Sequence, residues 1–600
     1  MPKQYVLFGR LLPPITTKRI TLLLSAVFTF AVLSVIFTLP SSVPTGPSLS
    51  QFADHKFSIP QFNSRPKWSS SLNPFSPKSH APPRQKDDSH EDSSWFSDWK
   101  WLSTPFSSSF TLDESRSLLP PLPERPPIYC YYDTAIERDK AMKDAESDLL
   151  LTWRRAWWAQ GFRPVLLSSA EAKNNPRYEQ LQRLKVTPGA KADIMRWLAW
   201  ENMGGGILSQ YLVLPMSVRT DPLLTFLRRG DYPTLTRWEG LSDGLFMGSK
   251  EDISTAIKLV LANPTLDYPF VVDEKPASIA FYDAQTVTMK YTKIGDTIQR
   301  DRPAGLVSLN QLINAHLHVA WQNLFSSGIA VLKPRPKFTT ELIGLGVELG
   351  NRLAQCSVSP LEASCPPNMP KCEPCVSRYP MSVHTPPTFR NVSTLFTIGV
   401  VPHPYTFQSV AYKQSALDIP WLRRKSERDA WLSGITKELM GTGVAGGPRV
   451  LRFKQAVASD YSRSHNLWIS AEQPVPDDID WNFGFAIPAL GEGIKKGESK
   501  TPVPGPERLP PVTHEKDDGP VATPEDMSRE RTLLTKAKRL GASKDKRDRA
   551  MRDAVESWNL ADTEAWKFAR AFLARGYVER ATWESEEAKY SGGAGSVKVR

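Results

Sequence analysis

Apolar and polar positions along this chain change period several times, and each change marks an element. From Pro126 to Asp133, "PPIYCYYD" is a β-branched and aromatic run that predicts a first strand. Glu137 to Gln160 then sets Leu149, Leu150, Trp153 and Trp157 at helical spacing on one side. "FRPVLLSS" predicts a second strand, Lys191 to Met203 a second helix, and "GGILSQYLVLP" a third strand. The alternation continues through "SDGLFMGSKEDISTAIKLVLANP", and "LINAHLHVAWQNLF" closes the unit near residue 335. Strands alternating with helices predict an α/β domain with a mostly parallel sheet over residues 126–335. An α/β extension over 336–490 holds a cysteine loop, the strand-like "STLFTIGVV", a helix around "SERDAWLSGITKELM" and the aromatic "DIDWNFGFAIP". Residues 491–528 are rich in Pro, Gly and Lys and read as a linker, and a helical C-terminal region follows over 529–600.

The N-terminal pattern differs. Ile20 to Leu39, "ITLLLSAVFTFAVLSVIFTL", carries no charge over 20 residues. As a helix it would span about 30 Å, the hydrocarbon thickness. Lys3, Arg10, Lys18 and Arg19 precede it and the first charge after it is Asp54, so the positive-inside rule makes 1–19 a cytoplasmic tail and turns the rest to the lumen. The apolar run is too long for a cleaved signal peptide and lacks a small-x-small cleavage site, which favours a signal anchor and a single-pass type II membrane protein. Residues 40–125, rich in Ser and Pro, cannot bury enough apolar surface to offset their ordering entropy and read as a stem, with Trp95, Trp99 and Trp101 as an aromatic exception.

Composition sharpens this picture only in part. The formal net charge is +12, but acidic and basic residues mix along most of the chain, and no basic block alternates with aromatics as a nucleic-acid groove requires. Cys356, Cys365, Cys372 and Cys375 cluster in a proline-rich stretch, while Cys130 stands alone. In an oxidising compartment the four predict two disulfides, with three pairings open. A zinc knuckle and a redox-active Cys372–Cys375 pair are the weaker alternatives. Asn391-Val392-Ser393 is an N-glycosylation triplet usable on the same side.

Candidate chemistry lies in "KADIMRWLAWENMGGGILSQYLVLP". Asp193 and Arg196, three apart on a helix, share a face, and alone they read as a surface ion pair. Gly204-Gly205-Gly206 ends that helix just before a buried strand, which directs attention to the sheet edge where α/β folds place nucleotides. The segment resembles the DXD-type Golgi glycosyltransferases, in particular the fungal initiating α-1,6-mannosyltransferase-like family, whose motif has the form "sDllRyxxLyxxGGiYxDxD". The resemblance covers about residues 126–335. It implies a GT-A-like fold, a nucleotide-sugar donor and a glycan or glycoprotein acceptor. It also implies that Asp193 and Arg196 contact donor-sugar hydroxyls and that Gly205 and Gly206 form the turn under the nucleotide. The family's acidic pair falls on Gln210 and Leu212, or without a gap on Ser209 and Tyr211, and neither choice supplies a carboxylate. Mn2+, the ion such enzymes use, thus lacks its usual ligands here, since a hard cation needs anionic oxygens.

A metal-free site needs cations at the diphosphate instead, and Arg302, His316 and His318 are the candidates. The two histidines sit in "AHLHVAW", where on a strand they would face one side; two structural histidines are the plainer reading. "DDID" (Asp477, Asp478, Asp480) contains an Asp-x-Asp in a proline-rich loop and is a weak metal candidate. Two functions follow as expectations: a membrane-anchored lumenal hexosyltransferase, mannose being one sugar the resemblance suggests, or a non-catalytic homologue that binds glycan or scaffolds a partner in the Golgi.

Overall fold

A computed structural model describes residues 6–7, 10–11, 78–82, 119–263 apart from 242, 273–276, 280–333, 340–403, 446–489 and 542–596. Two compact units divide the chain, residues 1–74 and 75–600. In the first, Val6–Leu7 and Arg10–Leu11 pair antiparallel.

In the second unit β1 (Pro127–Tyr131) leads through helix α1 (Lys140–Ala159) to β2 (Arg163–Leu167) and the short α2 (Ser169–Lys173). Helix α3 (Pro188–Asn202) precedes β3 (Gly205–Ser209) and β4 (Val213–Pro215). Then come β5 (Thr236–Glu239), β6 (Leu245–Ser249), α4 (Lys250–Ala262), β7 (Asp273–Pro276) and β8 (Phe281–Asp283). The main sheet has the order β2-β1-β3-β6-β5-β7, with β4 and β8 paired separately. Strand alternation divides its side chains between two faces. Ile128, Cys130, Ile207 and Met247 face α1 and the long helix α5 (Arg302–Leu324), whereas Tyr129, Leu208 and Phe246 meet Trp197, Leu198 and Trp200 of α3 and Ile253 and Ile257 of α4.

A second sheet, all parallel, has the order β10 (Val383–His384), β9 (Ile329–Leu332), β11 (Phe396–Val401), β12 (Asn466–Ser470). Every residue of β11 is buried, as expected for a strand covered on both faces. Helix α6 (Thr340–Ala354) contributes Ile343 and Leu349 to the core it shares with α1 and α5. Helix α7 (Gly446–Ala458) meets the C-terminal helix α10 (Lys546–Glu587) through Phe453, Phe568 and the buried ion pair of Lys454 with Glu564 at 2.9 Å. Between them lie α8 (Asp460–His465) and the single-turn α9 (Asp480–Phe483). The nested disulfides Cys356–Cys375 and Cys365–Cys372 resolve the three open pairings and are compatible with a secreted or lumenal protein.

Four expectations are corrected. The expected GT-A-like, mostly parallel design gives way to a mixed main sheet beside a separate all-parallel one: β6 runs antiparallel to both β3 and β5. Only residues 240–244 join β5 to β6, far short of the dozen or so that a parallel crossover needs. The expected single strand "GGILSQYLVLP" is two strands, broken by a turn that Val213 N–H closes on Gln210 O at 3.0 Å. "AHLHVAW" lies inside α5, not on a strand. And the single-pass membrane architecture is not what the structure shows: among the described residues no helix is long and apolar enough to cross a membrane. Ile20–Leu39, most of the stem, the helix around "SERDAWLSGITKELM" and the 491–528 linker lie outside the described residues.

The segment 78–82 is tied to the domain by His80. Its ring donates through Nδ1 to Glu171 at 2.8 Å and through Nε2 to Glu587 at 3.2 Å, and it stacks on Tyr590 at 3.7 Å. Two acceptors require the protonated ring. Burial alone would lower its pKa, but the hydrogen bonds to Glu171 and Glu587 and the two carboxylate charges outweigh it and raise it to about 9. Between the unfolded value near 6.5 and about 9 the folded state holds a proton that the unfolded chain has lost. Stability therefore falls as pH rises through that window. We expect wild-type protein to lose up to about 3 kcal/mol between pH 6.5 and 9.5 in denaturant titrations, and His80→Gln to flatten that slope.

Candidate functional site

The helix–glycine–strand segment builds the site locally. Thr187 caps α3, its hydroxyl accepting from Ala190 N–H at 3.3 Å, and Pro188 starts the first turn. The helix ends at Gly204, Gly205 and Gly206, whose φ angles of 87°, 91° and 113° favour glycine. A Cβ on Gly205 would lie 2.8 Å from Gly248 O and 2.9 Å from Lys250 N, so this glycine permits β3 to approach β6.

From there β3 runs buried to Ser209, at the opposite end of the strand from the glycines, roughly 13 Å away at the usual rise. At that far end the chain turns. Gln210 N–H donates to Gly244 O at 2.7 Å, and the turn opens a cavity of about 220 Å3 lined by Tyr131, Arg196, Ser209, Gln210, Tyr211, Leu212 and Gln285. Tyr131 ends β1 and Ser209 ends β3, so the cavity stands at the C-terminal edge of two parallel strands, where α/β sheets bind ligands.

The predicted residues separate into two groups. Arg196 and Gln210 meet in the cavity, together with the alternative motif positions Ser209, Tyr211 and Leu212. Asp193 pairs with Arg196 at 3.7 Å, is 55% exposed and does not line the cavity. Gly205 and Gly206 serve the helix-to-strand turn at the other end.

His316 and His318 are buried in α5 and fully engaged. His316 contacts Tyr282 Oη at 2.9 Å and Ser364 Oγ at 3.0 Å; His318 contacts Ser357 Oγ and Leu353 O, each at 2.8 Å. They fasten the disulfide loop to α5, and neither lines the β1/β3 cavity. Burial drives the pKa of each down to about 4. Arg302 begins α5 on the exposed surface. Two of the three "DDID" carboxylates are occupied by arginines: Asp478 pairs with Arg580, and Asp480 with Arg155 at 3.6 Å, while Asp477 is exposed. Among the described residues no group of three or more His, Cys, Asp or Glu could hold a metal ion. Asn391 is exposed before β11.

Sequence reasoning missed Tyr131 and Gln285. The first carried a usable signal, since it closes a predicted parallel strand; Gln285 arrives from a distant helix and carried none. Tyr211 is pushed up to about 12 by burial, with the Glu146 and Cys130 charges adding to the rise and the cations Arg302 and Arg138 acting against it. Such a site offers hydroxyls, amides and positive charge to a ligand, and among the described residues no carboxylate lines it.

The family described as Domain of unknown function (DUF8765) matches residues 89–600. The chain belongs to it. No curated protein and no solved structure matches. The span matched to DUF8765 contains the mixed sheet, the parallel sheet, the disulfide loop and helix α10.

The histidines give a test of their structural role. Below the unfolded value near 6.5, unfolded His316 and His318 take up protons while the folded pair stays neutral until about pH 4, so stability falls as pH drops through that interval. A His316→Gln/His318→Gln protein should be less stable at pH 7 yet lose less stability between pH 6.5 and 4.5, measured by urea denaturation.

Proposed function

We propose that this protein binds a nucleotide-sugar at the β1/β3 cavity and acts as a glycosyltransferase-like protein with no carboxylate-held metal. One observation carries the reading: Arg196, Ser209, Gln210 and two tyrosines converge on a cavity at the C-terminal edge of parallel strands, at the segment that resembles the transferase motif. A 150 Å3 cavity holds benzene, so about 220 Å3 suits one hexose ring and not a whole nucleotide-sugar. In this reading the sugar enters the cavity and the diphosphate stays at its mouth. Gln210 and the hydroxyls would meet sugar hydroxyls, and Arg196 would meet the phosphate charge that a metal meets elsewhere.

A second reading, a sugar-binding homologue that transfers nothing, rests on a different observation. No cavity-lining residue is an evident general base: the histidines are engaged in holding the disulfide loop, and Asp193 lies outside the lining.

Nucleotide-sugars should be screened for thermal stabilisation of the protein with and without Mn2+. A donor at 100 times its dissociation constant adds about 2.7 kcal/mol. We expect one donor class to raise Tm equally in either condition and Gln210→Ala to weaken it. Transfer of labelled sugar to glycan acceptors then separates the enzyme from the binder. Absence of stabilisation by every donor would end the transferase reading, and absence of stabilisation by free glycans as well would end the second.

A further inference from the structure

Asn391-Val392-Ser393 has no part in the β1/β3 cavity, and none of its residues lines it. It is the only Asn-x-Ser/Thr triplet of the 600 residues in which x is not proline; in Asn263-Pro264-Thr265 the proline blocks acceptance. Such a triplet can serve as an acceptor of sugar when the fold places it in a surface loop, because the group added is bulky and needs solvent around it.

The fold meets that condition through a turn fixed at both ends. Phe389 and Phe396, each 3% exposed, anchor it in two separate apolar clusters, and the residues from Arg390 to Ser393 are all exposed. Val392 N–H donates to Arg390 O and Leu395 N–H to Val392 O, each at 3.1 Å, while Thr394 O accepts from Ser327 N–H at 2.9 Å. The hydroxyls of Ser327 and Thr394 meet at 2.7 Å. The chain is thus tied down on either side of the triplet, and the triplet itself belongs to no helix or strand.

The cysteines bear independently on the compartment. Cys356–Cys375 and Cys365–Cys372 pair all four clustered cysteines in the same unit, and the fifth, Cys130, is buried. Disulfides of this kind persist in oxidising secretory compartments, where such acceptor triplets are used.

We infer that Asn391 carries an N-linked oligosaccharide. The donor is an oligosaccharide joined through a diphosphate to a lipid, and a separate transferase of that compartment makes the transfer. Asn391 Nδ2 bonds to the sugar C1 as the C1–O bond to the diphosphate breaks. The lipid diphosphate leaves with the bonding pair, and the amide gives up one proton to a base of the transferase. Ser393, two residues on, completes the acceptor.

The full chain, expressed in eukaryotic cells, is digested with peptide N-glycosidase and followed by gel mobility and peptide mass spectrometry. Digestion is expected to sharpen the band in a single step and to leave aspartate at position 391. N391Q and S393A should each abolish the step. S393T, which keeps the triplet intact, should retain it and so show that a chain altered at this turn still folds and reaches the compartment. A wild-type chain indifferent to the enzyme, a step that survives N391Q, or S393A modified as fully as S393T would overturn the proposal.

Discussion

The stacking of arginines on a tryptophan cluster holds the last helix to the rest of the chain. Trp158 of α1 stacks on Trp583 of α10 at 4.5 Å, and both meet Trp481 of α9 edge to face. Arg125 covers Trp158 at 3.9 Å, Arg154 covers Trp583 at 4.6 Å, and Arg580 covers Trp481 at 5.1 Å. Desolvated cation–π contacts contribute up to about 2 kcal/mol each, more than surface ion pairs do. Arg154 is fully buried with one hydrogen bond, to Gly595 O at 2.6 Å, so the aromatic face and nearby carboxylates must offset much of its desolvation. With α10 seated this way, Glu587 reaches Leu166 N–H and His80, Lys454 finds Glu564, and a second cavity, of about 210 Å3, closes between α10, α1, α5 and β12.

At the β1/β3 cavity the governing constraint is electrostatic. A divalent cation at a diphosphate needs anionic oxygens around it, and this cavity's walls offer neutral ones and a guanidinium. In the proposed function, those neutral groups would meet a polyhydroxylated ring, whose recognition depends on many directional hydrogen bonds. The glycines contribute at a distance. Gly205 permits β3 to lie close against the end of β6 and the start of α4.

Local pattern recovered the elements whose burial is one-sided or continuous. β1, β2, β3, α1 and α3 fall close to their expected positions, since strand alternation and the Leu149/Trp153/Trp157 spacing reflect real faces. The "AHLHVAW" segment misled because two histidines at i and i+2 look like a strand face. Leu306, Leu309, Ile313, Leu317 and Ala320 around them keep helical spacing, and a longer window resolves the conflict. The antiparallel β6 was legible in the shortness of residues 240–244. The cysteine pairing was not, because three pairings satisfy the spacing equally and tertiary packing on α5 selects one. Arg196 and Gln210 were found by motif, but the cavity that unites them depends on a strand break and on Gln285, neither encoded nearby.

The two cavities are neighbours along one short strand. β4 begins beside Leu212, on the first cavity's wall, and ends at Pro215, on the second's. Coupling between them would need an element with two arrangements that each ligand favours differently. β4 is a poor candidate for that. Its backbone is paired to β8 in a fixed register, Tyr282 opposite Leu214, and Trp157 Nε1 donates to Val213 O at 3.1 Å from a fully buried ring. Slipping it one residue would exchange the faces on which Val213 and Leu214 pack, and both are buried. The strand therefore fixes the spacing of the two cavities and holds the wall between them in one register.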